Sequence, residues 1–259
     1  SVPRSPISWT ETLPLLTPTE CLDLADRLGE SPETVISVHL LRRTLCRAYA
    51  AHGHAIIQGA QDPAEPTAFG LDPLILWELL EMVDGWTCLN LPAQCARPLG
   101  EIIVKETGRT VRYYSDVYHL MTGPVHPYRH EAVRLLTAYD TPLVESASPE
   151  LQGAGYHSRE QMLTEGVVAG GIIDGTLVAI AHTSARSEKF ADIGVATLAP
   201  WRNQGLSTAA TSLVAQRVQH EGLIPVWSCG EDNYGSLRVA GKVGYREVLR
   251  RSYVIPMED

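Results

Sequence analysis

Three groups of residues in this 259-residue chain have types and spacings suited to chemistry. The first is Arg202-Asn203-Gln204-Gly205-Leu206-Ser207. The chain leaves an apolar run at Leu198, turns through Ala199-Pro200-Trp201 and enters a stretch with helical spacing. A helix N-terminus presents free N–H groups and the positive end of a dipole, which together bind anions. Glycine at 205 lets a phosphate approach the backbone without a Cβ in the way. Ser207 is small and its hydroxyl can add a donor, while Arg202 supplies one compensating charge. These features suit a pyrophosphate, although an ordinary helix entry after a proline turn would leave the same pattern. The segment is not a Walker loop, because no Gly-Lys-Ser/Thr follows. It carries one glycine where a dinucleotide fingerprint carries three.

The second group is a lone carboxylate. Asp192 interrupts the apolar run Phe190-Ala191-Asp192-Ile193-Gly194-Val195, either as a functional acid or base or on a solvent face. The third is Asn233-Tyr234-Gly235-Ser236, leading through Arg238-Val239-Ala240 to Gly244-Tyr245. Cys229 ends a strand-like run, but no base pairs with it in a recognisable pattern, so it reads as inert packing rather than a nucleophile. His52-Gly53-His54 and His126 with His130 resemble ligand pairs, yet no third ligand follows at metal-site spacing, and no metal is expected.

The elements that must position these groups fall into two halves. In the second half, Val167–Ile173 and Leu177–His182 are apolar runs joined at Asp174-Gly175, a dipeptide suited to a tight hairpin. Phe190–Leu198 supplies a third strand. Leu206, Ala209, Ala210, Leu213, Val214 and Val218 keep helical spacing up to Gly222. A strand at Leu223–Cys229, a helix ending at Gly244 and a strand to Ile255 complete an α/β domain with a mixed sheet. In the first half, Ser31-Pro32 and Asp72-Pro73 read as helix starts, Pro98–Glu106 as a third helix and Thr110–Met121 as a strand. The Gly-Pro pair in Thr122-Gly123-Pro124-Val125-His126-Pro127 suits a link, which divides the chain into 1–128 and 129–259.

Composition sets the outer limits. A 44% hydrophobic and 20% charged content is that of a soluble globular protein. The net charge of −9 argues against a nucleic-acid partner. No apolar run approaches the ~20 residues of a membrane helix, and the start Ser1-Val2-Pro3-Arg4-Ser5-Pro6 has no apolar core. Both point to the cytoplasm. Five cysteines without a C-x-x-C pair point to reduced thiols.

The Arg202–Ser207 segment, together with Asn233–Tyr245 one helix and one strand later, resembles the GNAT superfamily of N-acetyltransferases over roughly residues 130 to 256. Ser207 stands where the family has glycine or alanine. The resemblance implies an acetyl-CoA or other acyl-CoA cosubstrate contacted by Leu198, Arg202, Asn203, Gln204, Gly205, Leu206, Ser207 and Thr208. Asn233 and Ser236 would meet the pantetheine arm. It also implies two neighbouring parallel strands that splay apart after a bulge in the first, with Pro225 in the second. Backbone N–H groups near Leu198 would serve the oxyanion.

Asp192 then stands where several members place a catalytic glutamate, though one residue closer to Arg202. Its face is right only if the turn at Pro200-Trp201 is one residue short. Ala240 occupies the position of the usual tyrosine, leaving Tyr234 or Tyr245 as substitutes, with Tyr245 better suited to packing.

Length and layout are similar to those of glycine N-acyltransferase-like tandem proteins, so residues 1–128 are either a degenerate GNAT-like companion on the acceptor side or an unrelated α/β cap. Arg112, Tyr113, Tyr114 and Tyr118 either line an acceptor cleft or belong to a half-buried strand. Acetyl transfer to a primary amine of a small molecule or amino acid by direct attack is the leading expectation. The alternatives are a CoA-binding sensor without catalysis and a protein or peptide acceptor. Oligomeric state, including a homodimer, stays open.

Overall fold

The computed structural model describes residues 15–258; the chain start read above for a leader lies outside them. The first half runs α1 (Pro18–Leu28), α2 (Val35–Arg42), β1 (Cys46–Ala51), β2 (His54–Gly59), β3 (Thr67–Phe69), α3 (Pro73–Leu80), β4 (Leu89–Pro92), α4 (Ala93–Thr107) and β5 (Val111–Leu120). After a short strand β6 (Val133–Leu135), the second half repeats that order. It runs α5 (Thr141–Glu145), α6 (Arg159–Glu165), β7 (Val168–Ile173), β8 (Thr176–Arg186), β9 (Phe190–Thr197), α7 (Leu206–His220), β10 (Ile224–Gly230), α8 (Tyr234–Val243) and β11 (Arg246–Pro256).

All eleven strands form one sheet in the order β1-β2-β3-β4-β11-β5-β10-β9-β8-β7-β6. Apart from β6, that order reads the same from either edge once each strand is exchanged for its counterpart in the other half. Both halves contain one parallel pair, β3 with β4 and β9 with β10. Each also gives its last strand away: β5 pairs with β10, and β11 pairs with β4. The two donated strands run antiparallel to each other over Val111–Leu120 and Arg246–Pro256 at the centre.

Local chemistry explains the elements. Thr17 and Glu20 close a capping box on α1, with Pro18 in its first turn. The turn at Asp174-Gly175 has φ of 50° and 75°, and its counterpart at His52-Gly53 has 50° and 76°, so both hairpins use the left-handed pair that matches strand twist. The expected helix at Ser31-Pro32 starts later, at Val35, because the Thr34 hydroxyl binds the Gly29 carbonyl and holds residues 31–34 as a turn. The helix expected from Pro98 begins at Ala93 and contains that proline. Pro98 and Gln94, the residue whose carbonyl loses its partner, are both exposed, so water can serve that carbonyl.

One core packs Ala191, Ile193, Ala210, Val214, Val218, Trp227 and Tyr245 between the sheet and α7. A second packs Ile56, Leu76, Leu80, Leu89, Leu99 and Ile103 around α3 and α4.

Candidate active site

The site begins where β9 and β10 stop pairing. Their parallel register runs Phe190 with Ile224, Ala191 with Pro225 and Asp192 with Val226, and among the described residues no further rung joins them. Pro225 therefore sits one residue before the strands separate. The bulge expected in β9 lies instead in β8, where Thr183 faces Ile193, Ala185 faces Asp192 and Ser184 is extra.

Beyond the last rung, β9 remains paired to β8 on one side only. The Leu198 N–H donates to the Val178 carbonyl at 3.0 Å, and its own carbonyl accepts from the Trp201 N–H at 2.9 Å. Leu198 is therefore committed and supplies no oxyanion donor. By the two-residue alternation of an antiparallel ladder, the backbone groups facing the gap belong to Val195 and Thr197. The Thr197 carbonyl accepts from Arg202 Nε at 3.1 Å.

The loop into α7 turns through Asn203 at φ 61° and Gly205 at φ 81°, a left-handed pair that folds the chain back so that the helix N-terminus faces the gap. No side chain caps α7. Among the described residues, no hydrogen bond engages the backbone N–H groups of residues 203 to 208. The Ser207 hydroxyl is bonded to the Thr197 hydroxyl, which ties the first turn of α7 to the end of β9. Gln204 folds its amide onto the Pro200 carbonyl at 3.3 Å and keeps its side chain out of the opening.

A cleft of about 670 Å³ joins the two motifs. Val195, Ala196 and Thr197 of β9 line it, with Arg202, Asn203, Gly205, Leu206, Ser207 and Thr208 on one wall and Asn233, Gly235, Ser236, Arg238, Val239 and Lys242 on the other. Of the residues singled out from sequence for the cofactor, only Leu198 and Gln204 are not among its lining. Asn233 also caps α8 by accepting from the Ser236 N–H at 3.2 Å, and the Ser236 hydroxyl accepts from Trp227 Nε1 at 3.0 Å. Arg238 and Lys242, not singled out from sequence, lie one turn apart on α8. Their spacing of four residues was the available signal.

Asp192 lies on the last rung, about 10 Å along β9 from Val195. Partners across a ladder share a face, so its side chain falls on the face of Val226, Leu120, Ser228 and Tyr118, opposite α7. Tyr114 and Asp116 continue that face, whereas Tyr113 turns away and packs on Gly100 of α4. Arg112 is exposed.

The Asp192 carboxyl is buried. Oδ2 accepts from Ser184 Oγ at 2.5 Å and Oδ1 has no partner. Burial pushes its pKa up to about 6, the Ser184 bond opposes the rise, and Asp116 adds to it. His182, on the same face of β8, is held neutral by burial, with a pKa near 4.

The remaining groups read from sequence have structural partners. Tyr245 is buried against Trp227 with ring centroids 5.5 Å apart, while Tyr234 is 72% exposed outside the cleft. Burial raises the Cys229 thiol, which disfavours a thiolate there. His54 accepts from the Asp72 N–H, His126 meets the Lys242 carbonyl and His130 accepts from the Ala132 N–H.

The equivalent places in the first half are filled. At the N-terminus of α3 the Asp72 carboxylate accepts from the N–H groups of Leu74 at 2.9 Å and Ile75 at 3.4 Å, so an anion is already supplied by the chain. Between β3 and β4, which share the single rung Thr67–Asn90, lies the Arg251 guanidinium. It donates to Asn90 Oδ1 at 2.6 Å and the Ala68 carbonyl at 2.5 Å, pairs with Glu33 at 3.3 Å and stacks 4.9 Å from the Phe69 ring.

Comparison with known proteins agrees with this architecture. Residues 136–254 match the family model described as GNAT acetyltransferase. A GCN5-related N-acetyltransferase-like protein from Streptococcus suis superposes with a TM-score of 0.70 at 23% identity, covering 93% of this chain and 100% of that one. A GCN5-related N-acetyltransferase from Kribbella flavida gives 0.60 at 18% identity, covering 91% and 96%. A tandem GNAT protein from the clavulanic acid biosynthesis pathway gives 0.52 at 16%, covering 93% and 94%. At these identities the solved structures establish the fold alone. No curated protein matches the chain. Residues 136–254 thus match a GNAT acetyltransferase domain, a family of transferases, and the fold sets that domain in a sheet shared with the first half.

Proposed function

We propose that the cleft takes an acyl-CoA, with acetyl-CoA the leading candidate, and that the chain transfers the acyl group to a primary amine of a small molecule or amino acid. The observation that carries this reading is the uncapped N-terminus of α7 opening onto the unpaired edge of β9. Unengaged N–H groups from 203 to 208 and the cations of Arg202, Arg238 and Lys242 suit the phosphates. The backbone of Val195 and Thr197 suits the pantetheine amides, which would add to β9 as an extra strand.

Asp192 is proposed as the base. An alkyl ammonium must lose a proton before its nitrogen can attack, and a carboxylate with pKa near 6 is both ionised at neutral pH and a stronger proton acceptor than an ordinary aspartate. The ammonium gives its first proton to water. Attack of the neutral amine forms the C–N bond, and the second proton passes from the attacking nitrogen to Asp192. The C–S bond breaks with its electron pair leaving on the CoA thiolate, which water then protonates. Thiolate is a fair leaving group, so the alanine at 240 does not block the reaction. In this reading the division near residue 128 separates an acyl-CoA-binding second half from a companion whose α2 and β5 close the acceptor face.

The test is release of free thiol from acetyl-CoA across a panel of primary amines and amino acids. We expect turnover with at least one of them, and a loss of about 10²-fold to 10⁴-fold in Asp192→Asn with acetyl-CoA affinity retained. Binding of CoA with no turnover on any amine would favour a sensor. Absence of CoA binding would overturn the proposal.

A further inference from the structure

The bulge in β8 has a definite chemical consequence for the carboxyl beside it. Thr183 and Ala185 hold the register against Ile193 and Asp192, and Ser184 between them has no partner residue in β9. The bulge is locked from outside by Gly155. A Cβ built there would lie 1.8 Å from the Ser184 carbonyl oxygen, so only glycine, at φ 91°, lets that loop close over the bulge. His39 of α2 fastens the same place, with Nε2 2.6 Å from the Gly155 carbonyl and Nδ1 accepting from the Arg186 N–H at 3.1 Å. Ser184 is thereby fixed on both sides, and its hydroxyl donates to Asp192 Oδ2 at 2.5 Å. The other oxygen, Oδ1, is buried without any partner.

A carboxylate with two equivalent oxygens can rotate and offer either one. Here one oxygen is occupied by a donor whose backbone is held on both sides, and the other is left free. Resting on the reading of Asp192 as the base, we propose that Ser184 is a positioning residue that holds Oδ2 and so presents Oδ1 as the oxygen that takes the amine proton. The proton returns from Oδ1 to water after the product leaves. The hydroxyl has a second effect, because it is the donor that keeps the buried carboxylate ionised against desolvation. Titratable groups close to Asp192 include Asp116 and Tyr118 on β5, His182 on β8, His39 on α2 and Tyr245 before β11. Of these, Asp116 acts on Asp192 by like-charge repulsion.

The experiment follows the carboxyl directly, by a ¹³C titration of protein labelled at aspartate Cγ, with the Asp192 resonance assigned through Asp192→Asn. It is paired with kcat and KM against pH on acetyl-CoA and the fastest amine of the panel. Ser184→Ala is expected to raise the Asp192 midpoint and the acid limb of kcat together by about one pH unit. The same change lowers kcat at pH 6 about fivefold and leaves KM for acetyl-CoA unchanged. Ser184→Thr, which keeps the hydroxyl, is expected to restore both.

A Ser184→Ala midpoint and acid limb equal to those of the wild type, with Asp192→Asn inactive, would overturn the Ser184 role alone. An Asp192→Asn enzyme as fast as the wild type would overturn the base reading and this inference with it. Should Ser184→Ala fail to fold, Ser184→Cys, a much weaker donor, takes its place and is judged by the same two outcomes.

Discussion

A buried carboxylate carries a stability penalty that its removal should reveal. In the unfolded chain Asp192 titrates near the ordinary aspartate value of 3.8, whereas in the fold burial raises it to about 6. The folded state therefore prefers the protonated form. The stability associated with this group is fully present below about pH 3.8 and is lost as the pH rises through 6. The separation corresponds to about 3 kcal/mol of destabilisation above pH 7, and to about half of that at pH 5.

Asp192→Asn removes the titration. Its amide places N–H donors where Oδ1 lacks a partner, which costs about 1–3 kcal/mol, but that cost does not change with pH. The informative quantity is thus the difference between variant and wild type at two pH values. Urea unfolding at pH 8 and pH 5, followed by tryptophan fluorescence, should show the variant gaining about 1.5 kcal/mol on the wild type between the lower and the higher pH. The same variant should be catalytically silent. Parallel pH dependences of stability in the two proteins would refute the buried carboxylate as described, whatever the kinetics showed.

Two further outcomes follow from the loop geometry. Gly205→Val should weaken CoA binding at least about tenfold in calorimetry while the protein stays folded. The position has φ 81° and nothing within 4 Å of a new Cβ, so the strain of about 1–2 kcal/mol falls on the loop backbone rather than on the core. Unchanged affinity would remove this loop from the cofactor site. Asp72→Ala should lower stability by about 1 kcal/mol through loss of a helix cap, with one CoA bound per chain before and after. A second CoA bound by that variant would show that Asp72 alone, without help from Arg251, keeps the first half's position closed.

Much of the second half was legible because its signals are local. Asp174-Gly175 fixes a hairpin by its own backbone preference, and the apolar spacing from Leu206 to Val218 fixes α7. The Arg202–Ser207 and Asn233–Ser236 segments lie on opposite walls of one cleft because each begins a helix after a strand of the same parallel pair. Non-local facts were not legible. Leu198 reads as a strand end near the thioester, but its N–H is taken by Val178, a residue twenty positions away. The bulge could not be placed from β9 alone, since it is Ser184 in the neighbouring strand that is extra. Of the few strands expected in a mostly helical first half only Thr110–Met121 was placed, and β4 has just four residues. β3 has just three residues, too few for a periodicity to register. Nor does any sequence signal say that β5 leaves its own half to lie beside β10.

That exchange ties the first half to the cleft of the second. The two halves share element order, hairpin turns and a parallel pair, yet Asp72 and Arg251 occupy in one the positions that stand open in the other. The first half is filled by Asp72 of its own and by Arg251, which β11 brings in from the second half. Its last strand, however, is wedged between β10 and β11, and that strand carries Tyr118 and Asp116 onto the face of Asp192. Remove β5, and β10 loses its partner on the side away from the gap, exposing an edge where the strands must separate in a fixed way. Its neighbour α2 lies over β8 and β9 and, through His39, holds the loop that locks Ser184. Because β5 and α2 of the first half brace the strands and the loop around Asp192, the two halves form one structural unit.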